Sequence, residues 1–130
     1  WNRRWGAPYG RRAPRPRGLA RLFRAHDEFD ERGMFGFQNN SDTRAFEYPW
    51  AYFAADPSRG QRILEVGGGL SGFQFAVAKS GAEVVNVDPG MEKLGWPVSH
   101  EFFEKANRKF GTRVELFNQL PLNVQALVGK

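Results

Sequence analysis

The sequence predicts an α/β fold: a three-layer sandwich built on a parallel sheet with helices on both faces, ending after its third strand. Three observations predict it. Ile63–Val66 is a short apolar run followed at once by Gly67, Gly69 and Gly72 in G-x-G-x-x-G spacing. Phe73–Ser80 then reads as a helix of small and apolar residues, closed by Gly81. Val84–Val87 is a second apolar run, and Asp88 stands at its carboxyl end, 21 positions after Gly67. Short apolar runs alternating with helical segments are the pattern of parallel strands joined by crossover helices.

The elements follow in order. Residues 1–24 carry eight arginines, at positions 3, 4, 11, 12, 15, 17, 21 and 24, and no acid. Pro8, Pro14, Pro16, Gly6, Gly10 and Gly18 lie among them, so this stretch is expected to be a flexible tail. Residues 25–58 are expected to form a helical cover over the sheet. Gly18–Glu31 places Leu19, Leu22, Phe23 and His26 on one side of a short helix, overlapping the tail boundary. Residues 33–40, GMFGFQNN, are rich in turn formers. Asp42 is expected to cap a helix through Tyr52 and Phe53, interrupted or restarted at Pro49. Asp56–Gly60 is a loop leading into the third region, residues 59–130.

After Asp88, the segment Pro89–Pro97 reads as a loop. Ser99 caps a helix running to about Phe110, with Glu101 near its positive end and Gly111 as its C-cap. Phe102, Phe103, Ala106 and Phe110 form its inward stripe. Arg113–Phe117 reads as the third strand, and Leu120–Val128 as the start of another helix.

Composition narrows the function. Of 130 residues, 41% are hydrophobic and 15% aromatic, enough for one core. No run is long enough to span a membrane, and no secretory signal pattern opens the chain. Cysteine is absent, which removes disulfides, thiolate metal sites and a cysteine nucleophile, and fits a cytoplasmic location. With only His26 and His100, no multi-histidine metal site is expected, and each is read as a surface residue. Outside the tail the chain has 11 basic and 14 acidic side chains, so the net charge of +5 belongs to the tail. Trp1, Trp5 and Tyr9 interleave with its arginines, a mixture able to neutralise phosphates and stack on bases. The alternative is a solvated arm without a partner.

The central motif carries the chemistry. Glycines between a strand and a helix permit a tight turn and a close approach of backbone to ligand. A carboxylate at the end of the next strand can accept hydrogen bonds from two ribose hydroxyls. Leu64-Glu65-Val66-Gly67-Gly68-Gly69-Leu70-Ser71-Gly72 and Val84-Val85-Asn86-Val87-Asp88, joined by Ala78-Lys79-Ser80-Gly81-Ala82-Glu83-Val84, resemble the first two motifs of class I S-adenosylmethionine-dependent methyltransferases. The resemblance is specific over residues 60–90 and looser to about 117. Dinucleotide oxidoreductases usually carry an apolar residue where Glu65 stands, and an acid there repels a pyrophosphate.

The resemblance implies a Rossmann-like fold and S-adenosyl-L-methionine as cofactor. It implies a cofactor-binding set of Glu65, Gly67, Gly68, Gly69, Ser71, Asp88, Pro89 and Asn118. Gly67 and Gly69 would lie against the methionine and ribose, and Asp88 would bind the ribose hydroxyls. Glu65 would orient the loop and, through water, the cofactor's amino group. Asn118 would face the adenine amine. Arg44, Tyr48 and Trp50 would cover cofactor or substrate, Arg44 at the cofactor carboxylate and an aromatic ring at the sulfonium. Alternatives for these three are an ion pair of Arg44 with Glu47 and ordinary core packing of the rings.

Family sheets have seven strands in the order 3-2-1-4-5-7-6, of which this sequence supplies three. It therefore resembles the N-terminal cofactor half of a larger enzyme, with a further segment or partner chain expected to complete the sheet. The opening Trp1, in place of Met, is expected of a processed or partial sequence. No residue stands out as a catalytic base, His100 being the nearest candidate, and the methyl acceptor is not identified. Two other functions remain open: an NAD or FAD dinucleotide-binding domain, and a non-catalytic module that holds nucleic acid through its basic tail.

Overall fold

The computed structural model describes Trp1 and residues 33–38, 43–90 and 98–118. Within them the chain forms α1 (Arg44–Ala55), β1 (Arg62–Val66), α2 (Gly72–Ala78), β2 (Glu83–Val87), α3 (His100–Phe110) and β3 (Val114–Phe117). The three strands make one sheet in the order β1-β2-β3. Both pairings are parallel, with Glu65 beside Asn86 and Asn86 beside Leu116. An α/β architecture with a parallel sheet is thus present.

Strand alternation sorts the side chains by face. Ile63, Val84, Val114 and Leu116 fall on one face, where Phe75 and Val77 of α2 and Phe103 and Ala106 of α3 meet them in the main core. Right-handed crossovers that step across the sheet in one direction place their helices on one face, which accounts for this layering. Each of Phe75, Val77 and Phe103 is at most 2% exposed, and such burial contributes roughly 1.5–3 kcal/mol per side chain. On the opposite face Leu64 and Val66 remain 51% and 56% exposed. Among the described residues the second helical layer expected there has no counterpart, and β1 has a paired neighbour on one side only.

Local chemistry sets the element ends. Ser99 accepts a hydrogen bond from the Phe102 amide at 3.2 Å, and Gly111 closes α3 in the left-handed region. Asn107 ties that end to β3: its side chain accepts from the Val114 amide at 2.8 Å and donates to the Val114 carbonyl at 2.9 Å. One expectation fails. Helix α1 runs unbroken through Pro49, with Thr43 before its first residue. Proline removes one amide donor, and the helix's surrounding contacts hold it together. Tyr48, one position earlier, is 7% exposed and stacks on Phe73 with ring centroids 5.3 Å apart.

Trp1 packs on the domain, its ring 5.8 Å from those of Phe35 and Tyr52. The rest of the basic tail, the helix over Gly18–Glu31, His26, Asp42, most of the loop to Pro97 and the helix from Leu120 lie outside the described residues.

Candidate functional site

At the carboxyl end of β1 the Gly67 amide donates to the Val87 carbonyl at 2.9 Å, the last tie to β2. The chain then turns with Gly67 at φ 69° and Gly69 at φ 55°, left-handed values that suit glycine. Gly68 is held by close approach instead. A Cβ there would lie 2.7 Å from the Glu65 carboxyl carbon and 3.0 Å from Asn86 Oδ1.

Two buried amides support the loop from beneath. Asn86 accepts from the Gly68 amide at 3.2 Å and donates to the Gly69 carbonyl at 3.3 Å. Gln74 of α2 donates to the Gly69 carbonyl at 3.1 Å and to the Ser71 carbonyl at 2.9 Å. Neither Asn86 nor Gln74 has any exposed surface. Sequence reading gave them no role. Their signal was a single polar residue inside the apolar runs VVNV and FQFAVA. Among the described residues no donor reaches Gln74 Oε1, a buried acceptor.

Asp88 closes the loop from the end of β2. One carboxylate oxygen accepts from the Gly69 amide and the other from the Gly90 amide, each at 2.8 Å. These bonds leave further lone pairs on both oxygens. Pro89 follows, partly exposed. With its amide oriented to satisfy its neighbours, Asn118 donates to the carbonyls of Asp88 at 2.8 Å and Pro89 at 2.6 Å. Asn118 thus braces the acid loop from the end of β3.

Glu65 lies on the helix-covered face of β1, its carboxyl against the Gly68 backbone. Among the described residues no group donates a hydrogen bond to it. Burial, and secondarily the charge of Asp88, push its carboxyl from an ordinary 4.5 up to about 7.

The expected cover is brought only partly together. Ser71 caps α2, its hydroxyl accepting from the Phe73 amide at 3.1 Å and donating to the Tyr48 hydroxyl at 3.3 Å. Burial raises the Tyr48 phenol above its usual range, against opposing effects of Ser71 and Arg44. Arg44 bonds Glu47 and lies over the Tyr48 ring, 5.5 Å from its centroid. Trp50 is 64% exposed, on the side of α1 shared with Phe46 and Phe53. His100 is exposed at the first position of α3. Among the described residues no three His, Cys, Asp or Glu side chains group as metal ligands, and no helix is long and apolar enough to cross a membrane.

The buried amides give a direct test. Valine at position 86 suits strand propensity yet leaves the buried Gly68 amide unpaired. Asn86→Val is expected to cost about 2 kcal/mol in urea unfolding and to speed hydrogen exchange at Gly68. A variant as stable as the parent would show that the loop does not depend on this support.

No protein-family model matches the chain, and no curated protein is significantly similar to it.

Proposed function

We propose that the chain is the cofactor-binding portion of a class I S-adenosylmethionine-dependent methyltransferase. The observation that carries this reading is the set of acceptors around the glycine loop. Two carboxyls, Glu65 and Asp88, flank a turn of three glycines, and Asp88 is the only charged group acting appreciably on Glu65 among the described residues. Such a set suits ribose hydroxyls and a positive charge, and opposes a pyrophosphate.

In this reading Asp88 holds the ribose hydroxyls through its remaining lone pairs. Gly67, Gly68 and Gly69 present backbone to the methionine and ribose. Glu65 faces the cationic part of the ligand, and Asn118 and Pro89 shape the adenine side. Ser71 and Tyr48 fix the entry to α2, while Arg44 and Trp50 border the cover. The cofactor supplies a methyl group on a sulfonium. The protein's share is alignment and exclusion of water. The three strands then belong to a larger Rossmann-like sheet, completed along β1 by a further segment or chain. The end position of β1 among the described strands supports that extension, and the half-exposed Leu64 and Val66 support a covering layer on the open face.

Calorimetric titration with S-adenosylhomocysteine tests the reading, with NAD as competitor. Saturable binding that NAD does not displace is expected. Asp88→Asn is expected to weaken it about 10- to 100-fold, the loss of one or two charge-assisted hydrogen bonds. Binding of NAD in preference, or no nucleoside binding by the folded chain, would overturn it.

A further inference from the structure

Three exposed aromatic rings lie along one side of α1. Phe46 is 72% exposed, Trp50 64% and Phe53 67%. They stand four and three positions apart, which on a helix of 3.6 residues per turn makes a single row about 10 Å long. Tyr48, on the opposite side, is buried against Phe73 and ties the helix to the domain. The row therefore faces away from that contact. Its Phe53 end meets the start of the basic tail. The Phe53 ring lies 5.7 Å from that of Tyr52, edge to face, and the Trp1 ring lies 5.8 Å from the same Tyr52. Arg3 and Arg4 follow Trp1 by two and three positions, so chain length alone confines their backbone to about 11 Å of it. Helix α1 adds no net charge, because Arg44 and Glu47 pair with each other.

We infer that this row of rings, with the arginines that begin beside it, binds single-stranded nucleic acid. The inference does not rest on the cofactor reading. Two needs of such a ligand are met together: its bases stack on exposed flat rings, and its phosphates take up cations. Residues 1–24 hold eight arginines, no lysine and no acid, whereas the rest of the chain holds six arginines and five lysines. A guanidinium grips phosphate oxygens in pairs and also stacks on flat rings, so arginine in place of lysine suits nucleotides. A lipid surface draws on positive charge, which lysine supplies equally. An apolar protein partner uses the rings and leaves the arginines without a role. A second copy of this chain brings its own basic tail against the first, like charge on like.

Fluorescence anisotropy of a labelled oligothymidylate titrated with the full chain tests this. Saturable binding is expected, tighter than for a duplex of the same length, with affinity that falls as salt rises. Each phosphate neutralised on a single strand contributes about 0.7 to the slope of log affinity on log salt, so Arg3→Gln with Arg4→Gln is expected to flatten that slope by about 1.4. Phe46→Ala with Phe53→Ala removes two stacking rings and no charge. It is expected to weaken binding about tenfold or more at an unchanged salt slope. Both rings are exposed, so this variant is expected to keep the parent's urea unfolding curve and the parent's response to S-adenosylhomocysteine. Phe46→Tyr with Phe53→Tyr keeps the rings and is expected to bind as the parent does. Equal affinity of the alanine variant and the parent would assign binding to the tail alone and overturn the inference. Preference for the duplex overturns it too, as does binding to phosphatidylserine vesicles in place of the oligonucleotide. Self-association of the parent that the two alanines abolish would make the row a contact between copies and likewise overturn it.

Discussion

Gly72→Ala is expected to destabilise the protein by about 3 kcal/mol, the upper part of the range for overpacking a filled interior. Helix propensity alone predicts the reverse, because alanine is favoured over glycine within a helix by about 1 kcal/mol. Packing decides the sign. A Cβ at position 72 would lie 2.6 Å from the Met34 carbonyl oxygen and 2.7 Å from the Phe35 ring. The first contact is backbone, and Phe35 is 5% exposed and packed against Tyr48, so neither neighbour yields cheaply. Gly67→Ala makes a useful comparison. Its site has nothing within 4 Å, but φ is 69°, so its cost is expected to be the conformational 1–2 kcal/mol alone. Urea unfolding followed by circular dichroism checks both. A Gly72→Ala protein as stable as the parent would mean that residues 33–38 do not pack on α2 as described.

Glu65→Gln is expected to be more stable than the parent at pH 8 by about 2–3 kcal/mol. The carboxyl titrates at about 7 in the folded protein, above its ordinary 4.5, because burial and then Asp88 disfavour its charge. The native state therefore holds the proton more tightly than the unfolded chain. Parent stability falls as pH rises from about 4.5 to about 7 and is level above that, at roughly 1.4 kcal/mol for each tenfold change in proton affinity. Glutamine carries no charge at any pH, so its advantage should shrink to near zero by pH 4.5. Paired urea curves across this range measure the difference. An advantage independent of pH would show that Glu65 is ionised in the fold without penalty.

Much of the site was legible because its signals are local. Gly67 and Gly69 adopt the left-handed turn that their spacing implied, between a strand and a helix. Asp88 stands at the end of β2 as read, and Ser99 and Gly111 bound α3 as cap chemistry dictates. Each of these depends on a residue and its neighbours within one turn. The helix through Pro49 was misread for the complementary reason: a local penalty was weighed without the packing around Tyr48 that outweighs it.

The sequence by itself determined the order of the elements, the parallel strand-and-helix pattern and the positions of the glycines and carboxyls. Backbone conformation and apolar periodicity are written in short windows, and these features follow from them. Only the tertiary structure decided that Asn86, on the neighbouring strand and 17 to 18 positions from the glycines it holds, would spend its buried amide on them. It also decided that Asn118 would turn to the backbone of Asp88 and Pro89, and that Gly72 would be required by Met34 and Phe35. The exposure of Leu64 and Val66 belongs to the same class. All of these depend on which segments meet across the sheet. Hydrogen-bond satisfaction and close packing are settled by that meeting, because a buried polar atom takes whichever partner the fold brings within reach.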